Sequence, residues 1–368
     1  MDFSLTETQA AVRDVITDVL DRSPGRDTGG WKGLASAGLL GVAIPDSLGG
    51  DGLGMAEVGI VLHEAGRRAS DLPIWETLCC GVLTVAACGT EEQKAVLFPD
   101  VATGECVLSA ALAEPGGGIP FRPRTTLRHE GERLLLSGRK IGVTCAEEAH
   151  RLLVPVTVVA SDVAAPETAV VLLDPRADGV TVTPTTASRG SVEATVVLDD
   201  VQLSPHAVLG GVEAVGAAEV LRRNAVAGLC LLGDGIVAGA RDLTAAYVAE
   251  RQQFGKALAE FQAVAQQMAD VYIASRTIGL AATSASWRLS DGLDADDDLA
   301  VAAYWFTVEA PAALHVCHHL HGGMGVDVTY PLHEYFSWVK DIARVLGGTH
   351  QTLDEVAARL VDSPGEGA

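Results

Sequence analysis

The chain has 368 residues, 48% apolar and 20% charged, which is enough for two or three domains and a sizeable core and argues against long disorder. Its 26 basic and 48 acidic residues leave a net charge of −22, a field that repels nucleic acid and anionic membrane and excludes nucleic-acid binding as a primary role. An anionic ligand would need a local cluster of arginines or a helix N-terminus.

The opening MDFSLTETQ is too polar and acidic for a secretory signal, and no apolar run approaches the roughly 20 residues of a membrane span. Residues 1–105 carry the helical period: Val12, Val15, Ile16, Val19 and Leu20 recur at helical intervals behind Thr6, a suitable cap. GLLGVAIPDSLGGDGLG interrupts this pattern as a loop, and MAEVGIVLHEAGRR resumes it. Residues 106–205 change to short β-branched runs, RLLLSGRKIGV, RLLVPVTVVA, TAVVLLD and ATVVLDDVQL, separated by turns such as DPRADG and SRGS, which predicts a small β-barrel or sandwich. Residues 206–368 return to long helical segments. One stops at Gly255, another opens on Asp296, Asp297 and Asp298 and contains Pro311, expected to kink it, and together they predict a helical bundle. The tail SPGEGA has a disordered composition. The seven cysteines are scattered, with no CxxC pair, which suits reduced thiols and a cytoplasmic location.

Four stretches carry candidate chemistry. In HVCHHLH, His315 and His319 lie one helical turn apart, but no carboxylate stands at a ligand spacing beside them, which weighs against a metal; Cys317 suits a core position. EPGGG (114–118) and HGGMG (321–325) could admit a phosphate to the backbone, and a bare turn or close helix packing explains each equally well. RQQFGKALAEFQ (251–262) joins a forked cation, an aromatic, a glycine and an amide between two helical segments; the alternative is a capped helix end with a solvated arginine.

Taken together, these segments resemble the acyl-CoA dehydrogenase family, in order and over nearly the whole chain. The resemblance is carried by GLASAGLLGVAIPDSLGGDGLG, GTEEQKAVLFPDVATGE running into ALAEPGGG, GRKIGVT, RQQFGKALAEFQAVAQQMAD and HLHGGMGVDVTYPLHEYF. It implies an α+β fold with an N-terminal helical domain, a middle β domain and a C-terminal four-helix bundle. It also implies FAD-dependent α,β-desaturation of an acyl-CoA thioester, in which a glutamate takes the α-proton, flavin takes the β-hydrogen as hydride, and electrons pass to an electron-transfer flavoprotein.

Carried over position by position, the family pattern divides. Arg251 and Phe254 match residues that reach the FAD of a neighbouring subunit. Gln262, the Gly322–Gly323 pair, Thr349 and the flavin-side Thr144 also match, and His319 replaces a glutamine. The family's TEPGAGSD is AEPGGGIP here, so Ala113 and Ile119 replace a threonine and a phosphate-binding serine. Gly142 replaces an aromatic, and Gly347 occupies the position of the catalytic glutamate. An alternative base position on an earlier helix falls at Ala225; Glu219 and Asp234 are near it and align with neither site. The resemblance therefore implies a non-catalytic subunit of an α2β2 complex that shares FAD with a second dehydrogenase subunit, as in actinobacterial enzymes for steroid side chains and other bulky acyl-CoAs. The competing expectations are a homo-oligomer with altered chemistry and a flavin-free scaffold.

Overall fold

A computed structural model describes residues 4–22, 28–130, 133–159 and 167–362. The first three residues of the MDFSLTETQ opening and the SPGEGA tail lie outside the described residues.

Five helices come first: α1 (Glu7–Arg22), α2 (Thr28–Ser36), α3 (Met55–Arg67), α4 (Leu83–Cys88) and α5 (Glu91–Ala102), with a π-helical segment Trp75–Val82 leading into α4. Thr6 caps α1 reciprocally with Gln9: the Gln9 amide donates to Thr6 Oγ1 at 3.2 Å and the Thr6 amide to Gln9 Oε1 at 3.1 Å. The π-helical segment is buried throughout and carries Trp75 and Glu76 toward the middle of the molecule.

Seven strands then form one curled sheet: β1 (Leu108–Ala110), β2 (Thr126–Glu130), β3 (Arg133–Thr144), β4 (Arg151–Val159), β5 (Glu167–Leu173), β6 (Val180–Thr186) and β7 (Val192–Leu203). β4 pairs with β5 on one edge and shares its other edge between β1 and β2, both parallel to it; β3, β7 and β6 follow antiparallel. The β3–β7 register slips between Lys140 and Val143, a bulge that contains Gly142. The sheet has its own apolar core, from Leu127, Leu136, Val154, Val171, Val196 and their neighbours.

The C-terminal part is a bundle of α6 (Ala217–Glu250), α7 (Gln262–Ser290), α8 (Asp296–His321), α9 (Leu332–Val345) and α10 (Gly348–Asp362). The central helix is α6, and it meets α3 backbone to backbone. A Cβ on Gly235 would come within 3.0 Å of the Arg67 nitrogen and one on Gly66 within 2.9 Å of the Ile236 nitrogen, so both crossing positions need glycine. The helix α8 begins at Asp296 with three acidic residues in its first turn and runs through Pro311 without a break. The segment Asp296–Val326 has the length and hydropathy to cross a membrane, and half of its apolar window is buried inside the bundle.

The helical segment expected to reach Gly255 ends at Glu250 instead. Residues 252–257 fold into a two-stranded hairpin, β8 (Gln252–Gln253) and β9 (Lys256–Ala257). Phe254 and Gly255 at its tip both have positive φ, 51° and 82°, the signature of the two-residue turn that matches strand twist.

Candidate functional site

A cleft where the three parts meet holds the loop after β1, the β3 bulge and the α9–α10 junction. Glu114 anchors the loop. Its Oε1 accepts from Lys140 Nζ at 2.9 Å, from the Thr125 amide at 2.9 Å and from Thr125 Oγ1 at 2.7 Å; Oε2 accepts from the Arg124 amide at 2.7 Å. Lys140 is fully buried and donates also to the Pro155 carbonyl. Burial works against the Glu114 carboxylate, but the Lys140 charge and these hydrogen bonds outweigh it and hold its pKa at about 2.

The anchored loop closes onto the α9–α10 junction. Ile119 donates its amide to the Val345 carbonyl at 3.1 Å, and Gly118 donates its amide to Gln351 Oε1 at 3.0 Å. A Cβ on Gly118 would lie 2.5 Å from the Val345 oxygen and 2.7 Å from the Gly347 Cα. Gly347 has φ +99°, and a side chain there would run into the Gln351 amide, 2.9 Å from Nε2. At the β3 bulge, Gly142 (φ +61°) leaves room that the protein fills itself: a Cβ would lie 2.6 Å from Arg344 Nη1, and Arg344 is held there by Glu193. Arg189, from the β6–β7 turn, stacks over Trp338 at 3.9 Å and pairs with Asp71 and Asp341.

What remains between Trp75, Glu76, Thr144, Trp338 and Arg344 is a cavity of about 30 Å³, room for about two waters. Neither the ring system of a flavin nor a thioester fits that space. Within it, burial raises the Glu76 carboxyl pKa and a hydrogen bond with Thr144 opposes the rise.

Thr349, in the first turn of α10, donates its hydroxyl to the Thr307 carbonyl on α8 at 3.1 Å. The alternative base position holds no base, and the carboxylates near it are engaged elsewhere. Ala225 is fully buried and its carbonyl accepts the Trp75 indole N–H at 3.0 Å. Glu219 pairs with Arg222 and Arg223, and Asp234 with His63.

The remaining candidates gather at the far end of the bundle. Tyr247, one turn before Arg251, stacks on His321 with ring centroids 4.3 Å apart, which brings the end of α6 beside the Gly322–Gly323 turn. Arg251, Gln262 and His319 are exposed and have no side-chain partner among the described residues. Phe254 is 93% exposed, its ring touched only at the edge by Phe261. Gly322 and Gly323 are open, with nothing within 4 Å of an added Cβ. Along α8, 14 residues separate Thr307 at the cleft from His321 at this end, roughly 20 Å at the helical rise. The matched positions other than Thr144 and Thr349 thus do not face the chain's own cleft. This exposed end has the groups a phosphate-bearing cofactor needs: an unpaired guanidinium, a free amide and an open glycine turn.

Sequence reasoning missed the residues that close the cleft: Lys140, Arg344, Gln351 and Arg189. Only a buried lysine inside the apolar run LLLSGRKIGV offered a local signal.

Family models described as acyl-CoA dehydrogenase N-terminal domain and C-terminal domain match residues 6–105 and 221–361. The acyl-CoA dehydrogenase FadE28 of Mycobacterium tuberculosis is 45% identical over 359 residues, 98% of this chain and 99% of its own length. The chain belongs to the acyl-CoA dehydrogenase family. FadE27 of the same organism is 30% identical, with 99% of this chain and 100% of its own length aligned. Among solved structures, a variant of the Tcur3481–Tcur3483 steroid ACAD superposes with a TM-score of 0.88 at 32% identity, covering 97% of this chain and 98% of that one. The ChsE4–ChsE5 complex from Mycobacterium tuberculosis gives 0.88 at 27% identity, covering 99% and 100%. Acyl-CoA dehydrogenases are FAD oxidoreductases acting on CH–CH bonds, and FAD complexes occur among the structures that share this fold.

Proposed function

We propose that this chain is the non-catalytic subunit of an α2β2 acyl-CoA dehydrogenase, in the cytoplasm, acting with a second dehydrogenase subunit on a bulky acyl-CoA such as one with a steroid side chain. The observation that carries the reading is the closure of Gly118 onto Gly347, which sets the loop's own backbone against the position of the usual base. The partner then supplies the catalytic glutamate and the open flavin face. This chain supplies Arg251, Phe254, Gln262, His319 and the Gly322–Gly323 turn to the adenine and pyrophosphate side of the partner's FAD. When bound, the flavin provides the hydride acceptor, and an electron-transfer flavoprotein re-oxidises it. The 45% identity to FadE28 and the likeness to two-component structures support this assignment.

The test is flavin counting. The chain purified alone should be colourless, and co-expression with a dehydrogenase that keeps the glutamate should give one FAD per heterodimer. A stoichiometric yellow protein from the chain alone overturns the reading. In the complex, Arg251→Ala should lower FAD occupancy at least several-fold.

A further inference from the structure

Away from the cleft, α3, α6 and α7 enclose a polar cavity of about 310 Å³. Its charged lining is Arg67, Arg241 and Arg276 against Asp234 and Asp242, with His63 beside them. Three guanidiniums facing two carboxylates make a locally positive cavity in a chain of net charge −22.

Both carboxylates are already engaged. Asp242 pairs with Arg67 at 2.9 Å and Arg241 at 2.7 Å, and Arg241 also donates to Ser275 Oγ at 3.0 Å. Asp234 Oδ2 takes His63 Nδ1 at 2.9 Å, and Gly279 makes room for that carboxylate, since a Cβ there would come within 2.7 Å of Asp234 Oδ1. Three groups on the lining have no partner among the described residues: the Arg276 guanidinium, His63 Nε2 and the Thr283 hydroxyl. Burial lowers the His63 pKa, but the bond and charge of Asp234 and the charge of Glu64 carry it above 6.5, so Nε2 bears a proton more readily than in a free histidine.

We propose that this cavity binds a compact tetrahedral oxyanion of the phosphate class, free or as the terminal group of a larger molecule. Arg276 on α7 offers the fork, Thr283 on the same helix and His63 Nε2 on α3 are further donors on the lining, and Arg67 and Arg241 together outnumber the Asp242 carboxylate they share. The site is independent of the cleft and of the heteromeric reading.

The experiment is calorimetric titration of the full chain with inorganic phosphate and, separately, with AMP, against sodium chloride of matched ionic strength. One saturable site per chain is expected. Arg276→Ala should weaken it at least tenfold without lowering the Tm of the ligand-free chain, because Arg276 is exposed and unpaired. His63→Gln should weaken it several-fold. Equal affinities for the two probes assign the site to free phosphate, and tighter AMP binding assigns it to a phosphate-bearing molecule. No binding above the chloride control, or full affinity in Arg276→Ala, overturns the proposal.

Discussion

The hydroxyl of Thr349 donates to the carbonyl of Thr307, and that carbonyl lies four residues before Pro311. Proline has no amide N–H, so within α8 the Thr307 carbonyl loses its usual acceptor role, and α10 supplies the missing donor. The same pairing fastens the α9–α10 junction to α8. Thr349→Val should destabilise the chain by about 1 kcal/mol, the cost of an unpaired, half-buried carbonyl. In the background of Pro311→Ala, where the helix regains its own donor, the cost of Thr349→Val should largely vanish. Additive losses in that double-mutant cycle, measured by urea unfolding, would disprove the coupling.

The Glu114–Lys140 pair predicts a strong asymmetry. Lys140→Met takes the buried cation from a carboxylate that keeps only the exposed Arg124 guanidinium at 3.5 Å, and should cost about 3–5 kcal/mol. The acid response follows from Glu114, whose folded pKa of about 2 lies below the ordinary 4.5. A depressed carboxylate stabilises fully above its unfolded pKa, so this contribution is lost as pH falls from 4.5 toward 2. Glu114→Gln should flatten stability over that window, and an unchanged acid slope would remove Glu114 from the explanation.

On the proposed function, Phe254 opposes stability to flavin retention. It is a bulky residue at φ +51° with almost no packing, a backbone conformation that costs about 1 kcal/mol or more outside glycine. Phe254→Gly should leave the isolated chain as stable or up to about 1 kcal/mol more stable, while lowering FAD retention in the assembled complex. A stability loss on this change would mean the ring packs in the free chain after all.

Arg189 ties three regions together, through Asp71 before the π-helical segment and through Asp341 and Trp338 on α9. Arg189→Ala should cost about 3 kcal/mol, since two little-exposed carboxylates lose their cation. Arg128→Ala, which breaks the exposed pair with Asp200, should change stability by less than about 1 kcal/mol. Thermal unfolding of the two variants side by side separates a clasp from a surface ion pair.

The parts of the fold legible in the sequence were those set by local pattern. Thr6 and Asp296 mark helix starts because capping and the helix dipole act over one turn, and the change of period near residues 106 and 206 reflects which faces are buried. The hairpin at 252–257 was not legible, because Phe254 takes a conformation that only Gly255 advertises. Pro311 marked a missing helical hydrogen bond, but not the donor 38 residues later that takes up the carbonyl it leaves free. Family resemblance marked Gly347 and Gly142 as lacking a side chain. What fills those spaces, Gln351 and Arg344, depends on contacts between distant segments that no local pattern encodes.

The meeting of Gly118 and Gly347 behaves as a mutational ratchet. Gly347→Glu, the one change that would return a carboxylate, meets a left-handed backbone and the Gln351 amide, and it leaves Gly118 backed against the same loop. Even a methyl at Gly118 meets backbone rather than a movable side chain. A carboxylate returned at residue 347 therefore requires the loop, the junction and Gln351 to change together.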